Sequence, residues 1–92
     1  MIGTKNKNRL NYEKHGILFE DACRIFTGYV FRTPDIRFDY GEQRFIALGD
    51  LDGLIITVIF TERNANIRLI SARTASREER ELYNDFKKDI TD

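Results

Sequence analysis

Residues Leu54 to Thr61 read L-I-I-T-V-I-F-T, the most apolar run in the chain. Leu54, Ile56, Val58 and Phe60 alternate onto one face, and Ile55 and Ile59 onto the other. A strand that is apolar on both faces needs cover on both, which places it in the interior of a sheet. Asp52-Gly53, just ahead of it, is a two-residue hairpin turn signal, so the preceding strand, Arg44 to Leu48, pairs antiparallel with it. On the other side the polar segment Glu62 to Asn66 reads as a hairpin loop leading into a strand over Ile67 to Ala72. A short strand over Tyr29 to Arg32 is ended by Thr33-Pro34-Asp35, because proline removes a ladder donor and restricts the residue before it. Residues 34–43 then form a mixed, polar loop.

Three helices complete the pattern. Residues 4–15 are polar, with Thr4 as N-cap, Gly16 as the left-handed residue that ends the helix, and Leu10 and Tyr12 as its apolar anchors. Lys5, Lys7 and Arg9 give that helix a basic face. Residues 18–27 carry Phe19, Ala22, Cys23 and Phe26 at helical spacing. The third helix runs from about Arg77 to Asp89, with Ser76 and Glu79 spaced as a capping box. Leu82 and Phe86 are its expected core pair, flanked by Tyr83 and Ile90. The expectation is one α+β domain over residues 1–92. It has a small antiparallel sheet of three to four strands, two N-terminal helices and one C-terminal helix, with the helices on one sheet face.

Composition narrows the function classes. The formal net charge is zero although 33% of residues are charged, so any nucleic-acid role has to rest on local clustering. One cysteine and one histidine leave no disulfide framework, no multi-Cys zinc site and no His-rich metal site. Cys23 reads as a small core residue. No apolar run reaches the ~20 residues of a membrane helix, and no signal-peptide pattern opens the chain. The expected setting is cytoplasmic, without membrane, metal or cofactor.

The candidate chemistry gathers in a few places. Lys14-His15-Gly16 closes the first helix. Basic residues there complement the helix dipole. Histidine is also the residue type that exchanges protons near neutral pH, which makes His15 the first acid–base candidate. Arg63, Arg68, Arg73, Arg77 and Arg80 cluster in the second half. Strict alternation puts Arg73 on the face of Ser71, Leu69 and Ile67, with Arg68 opposite. Arg73 follows apolar residues on that face, so it needs a carboxylate, a carbonyl or a phosphate as partner. Glu42 beside Arg44 is either a base or its counter-ion, and Tyr83 either a stacking or donating phenol or a buried helix residue.

Several motifs occur in order. N-x-x-K-H-G-I-x-F-E-D-A spans Asn11 to Ala22 and G-E-x-R spans Gly41 to Arg44. G-x-x-D-G-L-I-I-x-V-x-F-T-E-R spans Gly49 to Arg63, R-L-I-S-A-R spans Arg68 to Arg73, and E-x-x-x-Y spans Glu79 to Tyr83. The set resembles the BrnT family of toxins from bacterial type II toxin–antitoxin pairs, over about residues 7–84. The resemblance implies a RelE-like fold and a ribonuclease that blocks translation. It also implies neutralisation by a BrnA-like antitoxin, through which alone the complex contacts operator DNA.

Two positions depart from the pattern. Gly3-Thr4 stands where relatives often have Trp-Asp, and Leu18 stands where they often have a Ser or Thr helix cap. On this resemblance the chain would cleave RNA without a metal, through the ribose 2′-hydroxyl, with the RNA either free or presented on the ribosome. His15, Glu42, Arg73 and Tyr83 would lie near the chemistry. Lys14, Arg44, Arg63 and Arg68 would hold phosphates, and acidic antitoxin residues would face Arg63, Arg73 and Arg77. The competing readings are a non-catalytic adaptor that docks an acidic peptide or a DNA backbone through the same arginines, and a decayed toxin that still binds its antitoxin.

Overall fold

The structure, a computed structural model, describes residues 5–37 and 41–91. The element order is α1 (Lys5–His15), α2 (Phe19–Ala22), a 3-10 turn (Cys23–Thr27), β1 (Val30–Pro34), β2 (Arg44–Leu51), β3 (Leu54–Arg63), β4 (Asn66–Thr74) and α3 (Arg77–Thr91). The strands form one antiparallel sheet in the order β1-β2-β3-β4. β3 is interior, as its two-sided apolar pattern requires, and is buried from Ile56 through Thr61.

Both hairpins close tightly. Asp52 and Gly53 have φ of 52° and 92°, and Asn64 and Ala65 have 52° and 68°. The loop expected over residues 62–66 is thus only a two-residue turn, and β3 and β4 extend into it. The backbone twist of such mirror-image turns matches that of the flanking strands. β2 runs on to Leu51 for the same reason. β1 ends at Pro34, a position open to proline because β1 is an edge strand.

The helices cover both faces of the sheet, not one. α1, α2 and the 3-10 turn lie over the first face. There Ile17, Phe19, Ala22 and Ile25 pack with Ala47, Ile56, Val58, Phe60, Leu69 and Ala72. α3 lies over part of the second face, with the Phe86 ring 4.6 Å from that of Phe31 and the Glu79 carboxylate accepting from Thr57 Oγ1. Among the described side chains of α3 the buried apolar one is Tyr83, 2% exposed, while Leu82 and Phe86 remain 39% and 43% exposed; the Ile90 side chain, expected beside them, lies outside those described. The expected Leu82–Phe86 core pair is therefore corrected. α3 crosses the strands and sets Tyr83 inward against Tyr29.

The segment expected as one helix over 18–27 is an α-turn continued by a 3-10 turn. Leu18 supplies no side-chain cap. Asn8 of α1 does so instead: its Oδ1 accepts the Phe19 N–H at 2.8 Å, and its Nδ2 donates to Glu20 at 2.6 Å. The 3-10 turn sits close on β2 at Gly49, where an added Cβ would lie 2.6 Å from the Ile25 Cβ. That contact involves the stiff base of a β-branched side chain, so the turn itself has to move. Gly49→Ala is expected to destabilise the fold by about 1–3 kcal/mol. Urea unfolding would read this as a lower midpoint at unchanged slope.

At the N-terminus, Gly16 ends α1 with φ 75° and donates its N–H to Tyr12 O at 2.8 Å. The expected apolar anchors are corrected: Leu10 and Tyr12 are 63% and 52% exposed. The anchor is Asn11, only 6% exposed. Its amide donates to Ile17 O (2.9 Å) and Ala72 O (2.8 Å) and accepts the Ala72 N–H (2.9 Å). β4 is an edge strand, and Asn11 meets its outward peptide as a neighbouring strand would. Thr4, the expected cap, lies outside the described residues.

Candidate functional site

β4 carries most of the site, and its register is not regular. Ile59 of β3 is opposite Ser71, but the next residue, Phe60, is opposite Leu69. Ile70 is an extra residue, a β-bulge, and shifts the alternation by one. Leu69 and Ala72 thereby both point into the core, each with no exposed surface. Arg68, Ser71 and Arg73 come to share the second face, opposite Thr61, Ile59 and Thr57 respectively. The expectation that Arg68 and Arg73 lie on opposite faces is corrected. It assumed unbroken alternation.

The second face has a clear order. Arg44 and Arg68 flank Thr61 as its cross-strand partners on β2 and β4. Their Cα atoms are about 10 Å apart, twice the strand spacing. One pair further along are Ile46, Ile59 and Ser71, and beyond these Leu48, Thr57 and Arg73. Arg68 and Ser71 are thus separated by about 7 Å along the strand.

The charges differ in what occupies them. Arg73 forms a bidentate pair with Glu79, at 2.7 and 3.0 Å. The Glu79 carboxylate also accepts from Thr57 Oγ1 (2.9 Å) and the Ser76 N–H (2.8 Å), while Ser76 Oγ accepts the Glu79 N–H at 3.2 Å. The capping box is therefore also the counter-ion of Arg73. Burial alone would raise the Glu79 pKa. The bonds from Arg73, Ser76 and Thr57 and the Arg73 charge outweigh it and bring the pKa down to about 2. Glu42 pairs with Arg63 at 3.1 Å and lies 3.8 Å from Arg44. Arg77 pairs with Glu81 on the exposed side of α3.

Among the described residues, Arg68 is the one arginine whose side chain has no ion pair or hydrogen bond. The Lys14 and His15 side chains are likewise without partners among them, and both line a groove of about 260 Å³ beside β4. Lys7, Leu10, Asn11, Ile70 and Ser71 form the rest of its wall. The groove exists because Asn11 holds α1 along the edge of β4 at the bulge. His15, Lys14 and Ser71 thus share one groove at the edge of the sheet, and Arg68 lies on β4 beyond its lining, on the face that Ser71 shares.

Tyr83 is elsewhere. It lines a different cavity with Tyr29, Asp50 and Lys87, and its hydroxyl donates to Tyr29 O at 3.4 Å. Burial, then the nearby Asp50 and Tyr29, pushes its pKa up. Burial does the same to the Cys23 thiol. No three His, Cys, Asp or Glu residues among those described could together hold a metal ion. No helix among them is long and apolar enough to cross a membrane.

This layout accompanies a family match. Residues 4–79 match the profile of the ribonuclease toxin BrnT of type II toxin–antitoxin systems. The chain belongs to the BrnT family. A comparison with curated proteins finds no match. As a BrnT toxin of a type II system, the protein pairs with an antitoxin, and RNA is its substrate. The matched region ends at Glu79, so it contains this groove and the Arg73–Glu79 pair.

Two residues of this groove were not singled out as site residues from sequence. Ser71 needed the bulge, and Leu69-Ile70 is its trace, since two adjacent apolar residues break the alternation. Asn11 had no apolar periodicity to mark it. Its signal was its residue type: an amide can donate and accept as a peptide group does.

Proposed function

We propose that this BrnT toxin cleaves RNA at the edge of β4, through the ribose 2′-hydroxyl and without a metal, and so blocks translation. The observation that carries the proposal is the groove that brings the unpartnered side chains of His15 and Lys14 beside Ser71, with the unpartnered Arg68 further along the same strand. Unpaired cations on a net-neutral protein are the groups free to meet phosphate. His15 takes the 2′-hydroxyl proton, the 2′-oxygen bonds to phosphorus, and the bond to the 5′-oxygen breaks. The leaving oxygen takes a proton from the Lys14 ammonium or from solvent. Arg68 and Lys14 offset the charge that builds on the phosphorane. Arg44 and Arg63, with Glu42 between them, continue the track for neighbouring phosphates. Arg73 acts through Glu79 as a tie between β4 and α3, and Tyr83 as a core residue.

The fold is RelE-like on this reading. A BrnA-like antitoxin covers the arginine-bearing face with acidic residues and supplies the operator contact, and ribosomes present the RNA to a chain of zero net charge. Induction of the chain alone should arrest growth, and co-expression of the antitoxin should relieve it. Arg68→Ala is expected to slow cleavage about tenfold in ~0.1 M salt and to reduce the salt dependence of RNA binding by about one phosphate contact. Purified toxin that neither cleaves RNA nor arrests growth would favour the adaptor or decayed-toxin reading. An unchanged salt slope in Arg68→Ala would remove Arg68 from the phosphate track.

A further inference from the structure

We propose that Asn11 is the positioning residue for His15. This rests on the reading of His15 as the proton-transfer group. Asn11 is buried, and its amide uses both N–H donors and its oxygen, each at 2.8–2.9 Å. Two of these bonds go to Ala72, the residue after Ser71 on β4. The third goes to Ile17 O, beyond the turn that ends α1. His15 lies between Asn11 and Ile17 in the chain, so both ends of its segment are tied to one amide. That amide is tied in turn to the strand that carries Ser71 and Arg68. The His15 side chain has no bond of its own among the described residues to set its place. Its distance from Ser71 is therefore set by the length of the Asn11 side chain.

This makes a prediction that a purely structural role does not. Asn11→Gln keeps the amide and its bonding capacity but adds one methylene, which shifts the end of α1 relative to β4 by about 1 Å. A misplacement of that size can cost a reaction up to about a hundredfold. Asn11→Ala removes all three bonds. The test is single-turnover RNA cleavage by full-length toxin carrying Asn11→Gln, Asn11→Ala, His15→Ala and each Asn11 change combined with His15→Ala. Melting curves show that each is folded at the assay temperature.

The expected result is a fall of tenfold or more in the cleavage rate of Asn11→Gln, with KM changed less than about threefold. The combined variants should be no slower than His15→Ala alone, because the Asn11 effect passes through His15. Full cleavage rate in folded Asn11→Gln would overturn the proposal, and so would Asn11 and His15 effects that multiply. Failure of both Asn11 variants to fold would assign Asn11 to stability alone and overturn it equally. If His15→Ala cleaves as the parent does, the catalytic reading itself fails. If His15→Ala is inactive and Asn11→Gln is not impaired, only the positioning role is lost.

Discussion

Replacing His15 with alanine is expected to lower RNA cleavage by about 10²–10⁴-fold, the range that general acid–base catalysis contributes. The fold should not change. His15 is half-buried and makes no bond among the described residues, while α1 is held by Asn11 and closed by Gly16. Activity and stability therefore separate cleanly at this position. Single-turnover cleavage measures the first and a thermal melt the second. Cleavage within about threefold of the parent, at equal Tm, would take His15 out of the chemistry and leave the groove as an RNA-binding surface. Lys14→Ala should slow the chemical step as well as weaken binding, because its ammonium meets phosphate in the ground state and offsets the charge that builds on the phosphorane.

The second large effect concerns acid stability. The Glu79 carboxylate has a pKa of about 2 in the folded protein against an ordinary value of 4.5. A carboxyl whose folded pKa is depressed stabilises the fold above its unfolded pKa, and that contribution is lost as pH falls through the folded value. The window here runs from about pH 4.5 down to about 2. A shift of this size corresponds to about 3 kcal/mol at most, and solvent screening of a side chain that is 23% exposed lowers it to on the order of 2 kcal/mol.

Glu79→Gln keeps the shape and one acceptor but leaves the Arg73 guanidinium without its charge partner. It is expected to lower Tm at pH 7 by about 10 °C or more, since 1 kcal/mol moves a domain of this size by roughly 4–8 °C. The gap between parent and variant should narrow markedly at pH 3. The same difference at both pH values would mean that shape and packing, not the carboxylate charge, hold α3 to the sheet.

Some of this was legible in the residues. The two-sided apolar run Leu54 to Thr61 marked an interior strand, and Asp52-Gly53 marked its hairpin. Gly16 marked the end of α1. Ser76 and Glu79 are bonded to each other as their spacing implied. The order of the motifs along the chain is that of the BrnT family, to which the chain belongs. Other features were misread for physical reasons. Leu10 looked like an anchor because apolar residues usually are, but α1 is tied to the sheet by an amide instead. Leu82 and Phe86 looked like a core pair because their spacing suits one, but the crossing of α3 buries Tyr83. Arg73 was open to a carboxylate, a carbonyl or a phosphate, and Glu79 takes both of its terminal nitrogens.

What the chain by itself determined is therefore its local structure and its family. Turns, caps and strand periodicity depend on dihedral preferences and side-chain bonds within a few residues, so they can be read in order along the sequence. Which cations share a face, and which of them remain unpaired, was decided by tertiary structure. One extra residue at Ile70 lets Leu69 pack under Phe60 and Ala72 under Val58, and that packing turns Arg68, Ser71 and Arg73 to the same side. The cause lies across the sheet, on β3, so strict alternation along β4 could not show it.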